Sequence, residues 1–112
     1  MLVDIREMKD TNLFEKNLVV LYFWANWCGS CRLTYPILST TSEDFSDSVS
    51  FFSINTDHNT EITDTYNVKN IPSTLFICDG EVVDELIGAA GDDTLSARIL
   101  SLIEKGNELW IY

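Results

Sequence analysis

LVVLYFWANWCGSC, residues 18–31, carries a strand, a turn and the start of a helix in one short stretch. Leu18 to Trp24 is an unbroken apolar, β-branched and aromatic run of strand length. Strands covered on both faces read this way, whereas a half-exposed strand alternates polar and apolar positions. Asn26-Trp27-Cys28-Gly29 has the composition of a turn. A helix is predicted from about Cys28 to Phe45, with Leu33, Ile37 and Leu38 as apolar positions and a kink at Pro36, which removes one backbone donor.

The rest of the chain extends this β-α start in both directions. Leu2 to Arg6 reads as a short edge strand, and Asn12-x-x-Glu15 resembles a capping box opening a brief helix. Phe51 to Asn55 is the next strand, and Glu61 to Tyr66 a short helix or turn. Ile71-Pro72 precedes a strand from Ser73 to Cys78. Asp79-Gly80 is a tight-turn signal, and Glu81 to Ile87 its antiparallel hairpin partner. Gly91-Asp92-Asp93 starts a final amphipathic helix whose stripe is Leu95, Ile99, Leu102 and Ile103, with acids in the first turn where the macrodipole favours them. The expected fold class is α/β, a central mixed β-sheet flanked by helices on both faces. Residues 1–112 are read as a single domain, with 105–112 as a C-terminal extension.

Composition narrows the function. The 112 residues are 46% apolar and 22% charged, values typical of a folded domain. Eighteen acids against seven bases leave a formal net charge of −11, which argues against nucleic acid and against anionic membrane surfaces. The longest apolar stretch, Leu18 to Ala25, is far short of a membrane span. The charged residues Asp4, Arg6, Glu7, Lys9 and Asp10 leave no apolar run for a signal peptide. A cytoplasmic, monomeric protein is expected.

Three cysteines are too few for a disulfide scaffold, and three Cys with the single His58 are a poor zinc set. A C-x-x-C set between a buried strand and a helix points instead to thiol–disulfide exchange. Spacing i, i+3 on a first helical turn brings the Cα atoms to roughly 5–6 Å, within the range a disulfide bridges. Cys28, at the helix start, sits where unpaired N–H groups and the macrodipole stabilise a thiolate, which makes it the attacking sulfur. Cys31, one turn further in, is the more buried thiol. Trp27 is expected to form an apolar rim beside the Cys28 sulfur, Gly29 to let another backbone approach, and Gly88 likewise to serve close backbone approach. Cys78, ending a buried strand, reads as a small apolar residue, and His58 as a solvated loop side chain.

These residues resemble a known family. Trp24-Ala25-Asn26-Trp27-Cys28-Gly29-Ser30-Cys31 is similar to the thioredoxin active-site segment, usually WAxWCGPC. Tyr35-Pro36-Ile37-Leu38 resembles the kinked helix that follows it, and Val68-Lys69-Asn70-Ile71-Pro72-Ser73 the V-x-x-I-P-T segment, whose proline is cis and faces the redox pair. Asp79-Gly80-Glu81 resembles the hairpin turn, and Ile87-Gly88-Ala89 the late glycine segment, all in order from about residue 2 to 104. The resemblance implies a thioredoxin fold and a cycle in which Cys28 is the nucleophile and Cys31 the resolving thiol. It also implies a substrate groove of Trp27, Gly29, Ser30, Ile71, Pro72 and Gly88. It further implies protein disulfide substrates, a thioredoxin-reductase-like electron donor, and a redox-active Cys28–Cys31 disulfide with no bound cofactor and no metal.

Three positions depart from the family pattern. Ser30 replaces the usual proline between the cysteines, and its restored N–H is expected to point at the Cys28 sulfur, favouring the reduced state. Tyr22 stands where the family has a buried aspartate, and Ser53 where its lysine partner sits. A tyrosine is a poor base, so the Cys31 proton is expected to leave through water, with the Tyr22 hydroxyl as a relay. Lys105 to Tyr112 runs past the family's usual end and is expected to pack back on the domain. Two other readings stay open at this point: an oxidant or isomerase-like interchange protein, prompted by Ser30, and a non-catalytic thioredoxin-fold binding subunit.

Overall fold

The computed structural model describes residues 2–6 and 18–110. In chain order they form β1 (Leu2–Asp4), β2 (Leu18–Trp24), α1 (Gly29–Asp44), β3 (Ser50–Asn55), α2 (Thr60–Thr65), β4 (Ser73–Cys78), β5 (Glu81–Ile87) and α3 (Asp92–Trp110). The brief helix expected at Asn12–Glu15 lies outside the described residues. The strands make one sheet in the order β1-β3-β2-β4-β5. β1, β3 and β2 run parallel, β4 is antiparallel to β2, and β5 is antiparallel to β4.

β2 is central, and its sequence shows why. Val19, Leu21 and Phe23 point to one face, where they pack with Phe52, Ile54, Ile62, Leu75 and Ile77. Leu18, Val20 and Tyr22 point to the other, with Phe51, Phe76, Leu38 of α1, and Leu95 and Ile99 of α3. Each β2 residue from Leu18 to Phe23 is buried, so the run needs apolar side chains on both faces. Hairpin β4–β5 closes through Asp79 and Gly80, both at positive φ (52° and 83°). That geometry suits a two-residue turn matching the strand twist.

α1 differs from expectation in two details. Cys28 is its N-cap rather than its first residue, and the helix continues through Pro36 as one element. Leu33 does not join the core and is 72% exposed. The inward row is Cys31, Thr34 and Leu38, and Leu33 lies roughly 200° around the helix from Cys31. α3 starts at Asp92, whose carboxylate accepts a 2.7 Å hydrogen bond from the Thr41 hydroxyl and ties α3 to α1. Of the segment read as an extension, residues 105–110 are continuous with α3, which runs to Trp110, and 111–112 lie outside the described residues.

Candidate active site

β2 ends at Trp24, and the chain turns at once into α1. Cys28 N–H donates to the Ala25 carbonyl (3.2 Å), and Arg32 Nη2 donates to the Asn26 carbonyl (2.7 Å), so the turn is fastened from both sides. Cys28 and Cys31 are joined as a disulfide with Cα atoms 5.3 Å apart. Cys28 is 6% exposed and Cys31 1%. The order of burial follows expectation, although Cys28 is itself largely buried.

The Cys28 sulfur caps the helix. Cys31 N–H donates to it at 3.2 Å, and the Ser30 hydroxyl oxygen lies 3.6 Å away. The expectation for Ser30 therefore needs correction. The backbone donor at the sulfur belongs to Cys31, and what Ser30 brings near is its side-chain hydroxyl. Both contacts favour negative charge on Cys28 once the disulfide opens, in the place where the helix dipole favours it as well.

Behind Cys31, Tyr22 is fully buried and donates its hydroxyl to the Cys31 main-chain carbonyl at 3.0 Å. The hydroxyl is thus aimed at the carbonyl rather than at the sulfur. Burial pushes the Tyr22 phenol up to about 12, against a smaller lowering by the Thr34 hydroxyl and a further rise from Tyr35. Its ring meets Tyr35 edge-on at 6.0 Å, and Tyr35 meets Trp24 at 5.4 Å. Strand register sets Asp4, Ser53, Tyr22, Thr74 and Leu86 in one row across the sheet. Ser53 donates to the Asp4 carboxylate at 3.1 Å, so the two departures from the family pattern leave two neutral side chains, Tyr22 and Ser53, where an ion pair would otherwise lie.

The proposed groove residues gather at the same end of the sheet. Trp27 is 70% exposed, and its indole N–H donates to Asp57 Oδ2 at 2.9 Å. The Ile71–Pro72 peptide is cis. Ser73 pairs with Phe23, which places Pro72 beside the end of β2 where the cysteine turn departs. Ser73 closes its own turn by donating to the Asn70 carbonyl. Gly88 N–H donates to the Pro72 carbonyl at 2.8 Å. Gly88 was expected to allow close backbone approach, yet nothing lies within 4 Å of where a Cβ would sit. Its φ of +94° is what calls for glycine. Gly29 also faces open space.

Asp57 is a site residue that the sequence did not point to. Its loop is anchored by Thr56 N–H on the Trp24 carbonyl (2.8 Å) and by Asp57 N–H on Asn55 Oδ1 (3.0 Å). The available signal was topological: an acid just after the C-terminal end of the strand parallel to β2 lies beside whatever follows β2.

Among the described residues no cluster of three or more His, Cys, Asp or Glu side chains gathers around a metal position. Cys78 is a free, half-buried thiol. Burial, helped by the neighbouring Asp79 charge, raises its pKa. A raised pKa leaves less thiolate at neutral pH. With Cys28 and Cys31 both changed to serine, Cys78 should react with iodoacetamide more slowly than free cysteine, and the gap should narrow as pH rises.

Comparison with known proteins gives a consistent picture. The family pattern described as Thioredoxin matches residues 5–101. The chain is 36% identical over 85 residues to thioredoxin 1 of Synechococcus elongatus, covering 75% of this chain and 79% of that protein. It is 38% identical over 88 residues to a thioredoxin of Pyropia yezoensis, covering 78% and 82%. It is also 36% identical to the chloroplastic thioredoxin M4 of Arabidopsis thaliana, covering 80% of this chain but only 47% of that longer protein. Among solved structures, thioredoxin of Malassezia sympodialis superposes with a TM-score of 0.82 at 25% identity, covering 90% of each chain.

Proposed function

The chain belongs to the thioredoxin family and is a thiol–disulfide oxidoreductase whose redox group is its own Cys28–Cys31 disulfide, and from that premise we propose how its residues divide the work. Cys28, as thiolate, attacks one sulfur of a protein disulfide. The substrate S–S bond breaks, a mixed disulfide forms, and one substrate sulfur leaves as a thiolate that takes a proton from water. Cys31 then loses its proton and attacks the Cys28 sulfur, closing the Cys28–Cys31 bond and releasing the second substrate thiolate.

The observation that carries this assignment is the hydrogen bond from Cys31 N–H to the Cys28 sulfur at the N-cap of α1. It supports Cys28 as the sulfur whose charge is stabilised. Trp27, held by Asp57, supplies the apolar rim. Gly29 and Ser30 leave the approach open, and Ile71, Pro72 and Gly88 form the wall against which an extended substrate segment lies.

The electron donor is a thioredoxin-reductase-like protein carrying its own cofactor. The −11 formal charge suits a donor with a basic docking face. One chain supplies every proposed site residue, which supports action as a monomer. Among the described residues no helix is long and apolar enough to cross a membrane. The relatives include chloroplastic forms. A reducing, cytoplasmic setting is the one that fits a chain with a free thiol, Cys78, in addition to a cycling pair. The test is turbidity from reduction of insulin by dithiothreitol, which catalytic amounts of the chain should accelerate.

Ser30 sets the direction in which the equilibrium moves. Its hydroxyl near the Cys28 sulfur stabilises the reduced form, so the pair should be less reducing than the roughly −270 mV of a thioredoxin with proline there. Replacing Ser30 with proline removes that hydroxyl and should bring the potential down by about 30–65 mV, the effect of one hydrogen bond to a charged group. Equilibration against glutathione reads the shift. A S30P potential equal to that of the wild type would show the hydroxyl to be idle.

A further inference from the structure

We propose that Tyr22 is a positioning residue for closure of the Cys28–Cys31 bond, holding the first turn of α1 through the Cys31 carbonyl and exchanging no proton in the cycle. The inference rests on the dithiol cycle above and adds a role for a side chain that cycle does not use.

Tyr22 is the one large side chain of β2 with a polar tip at the redox pair, and its tip is committed. The hydroxyl hydrogen is donated to the Cys31 carbonyl at 3.0 Å. That carbonyl belongs to the residue whose N–H caps the Cys28 sulfur at 3.2 Å. One residue is therefore held at both its peptide groups, by Tyr22 on the core side and by Cys28 on the site side. The ring cannot swing away, being fully buried and lodged edge-on against Tyr35. A rigid Cys31 backbone keeps its sulfur within reach of Cys28 while Cys28 is bonded to substrate, which is where closure gains from orientation.

The same geometry removes Tyr22 from the proton traffic. Its only hydrogen points at a carbonyl, and burial keeps the phenol protonated at any pH where the thiols titrate. Among the described residues, the side chains that act on its ionisation are Tyr35 and the Thr34 hydroxyl, both of α1. Asp4 of β1 lies two strands away and is engaged by Ser53. Asp84 of β5 is paired with Arg98 of α3 at 2.7 Å, and Asp92 of α3 is held by Thr41. β4 presents Thr74 in register. The Cys31 proton then leaves to water when Cys31 attacks Cys28.

The experiment uses oxidised glutathione as the probe, so it reads closure without a protein substrate. Reduced chain attacks the glutathione disulfide, Cys28 forms a mixed disulfide, and Cys31 closes the pair and expels a second glutathione thiolate. The closure rate is followed across pH for the wild type, Tyr22→Phe and Tyr22→Asp, with circular dichroism confirming the fold of each variant. Tyr22→Phe should slow closure about threefold to tenfold, the worth of one neutral hydrogen bond, with the shape of the pH profile unchanged. Tyr22→Asp should add an inflection that the wild type lacks. Wild-type closure rates in Tyr22→Phe would overturn the positioning role. An inflection in the wild type beyond those of the two thiols, or one lost in Tyr22→Phe, would overturn the claim that Tyr22 exchanges no proton, and the wild-type profile alone decides this if the variants do not fold. Should the pair close with glutathione yet leave insulin untouched, the reductase reading fails while the Tyr22 result still stands on its own.

Discussion

Changing Cys28 to serine should reduce insulin reduction to the rate of dithiothreitol alone, a loss on the order of a thousand-fold or more, the scale seen when an enzyme loses its attacking atom. A serine hydroxyl in the same capped position does not ionise in the range where a thiol does, so the Cys31 N–H and the helix dipole have no anion to stabilise. Cys31→Ser should fail differently. Cys28 remains available to attack, nothing expels the substrate, and a mixed disulfide builds up that non-reducing electrophoresis shows as an adduct. Equal adduct from both variants would mean that the two sulfurs are interchangeable, and the 3.2 Å cap on Cys28 would then carry no functional weight.

The largest effect on stability is expected from Phe76→Ala. Phe76 is fully buried and lies opposite Val20 in register. It packs in the cluster shared by β2, α1 and α3. Truncating such a ring removes its transfer free energy and leaves a cavity that neighbours fill only in part, a cost of about 3–5 kcal/mol. Native domains hold roughly 5–15 kcal/mol in total, so the thermal midpoint should drop by well over about 10 °C. Because β4 also carries the Pro72 turn, the same change should weaken substrate reduction below the melting transition. A midpoint within a few degrees of the wild type, on the order of 1 kcal/mol, would show that this face of the sheet is not a close-packed core.

The elements that could be read from the sequence are those with a strong local signal. β4 and β5 fall at Ser73–Cys78 and Glu81–Ile87 as expected, because Asp79-Gly80 fixes a two-residue turn and with it the adjoining pairs Cys78–Glu81 and Ile77–Val82. The double-sided burial of β2 followed from its unbroken apolar run. What was less legible depended on three-dimensional neighbours. Leu33 looked like a core residue by type alone, yet its helical phase turns it outward. Gly88 suggested a tight approach, whereas its backbone angle is the reason for glycine.

The site divides along the same line. Trp27-Cys28-Gly29-Ser30-Cys31 is contiguous, so its spacing on a first helical turn already implied the chemistry. Asp57 is remote in sequence, and only the pairing of β3 with β2 brings it under the Trp27 indole. The Ser30 contact turned on a side-chain rotamer rather than on the presence of an N–H. Tyr22 could be seen to replace an acid, but whether its hydroxyl met the sulfur or the carbonyl of Cys31 required coordinates.

Cycling of Cys28 and Cys31 between dithiol and disulfide is read by an equilibrium redox titration of that pair. The chain is equilibrated across glutathione or dithiothreitol buffers, and the transition is read from tryptophan fluorescence, since Trp24 and Trp27 flank the pair. One reversible two-electron transition is expected, somewhat less reducing than roughly −270 mV, that disappears in Cys28→Ser. The absence of any reversible transition, or its persistence in Cys28→Ser, would contradict that cycling.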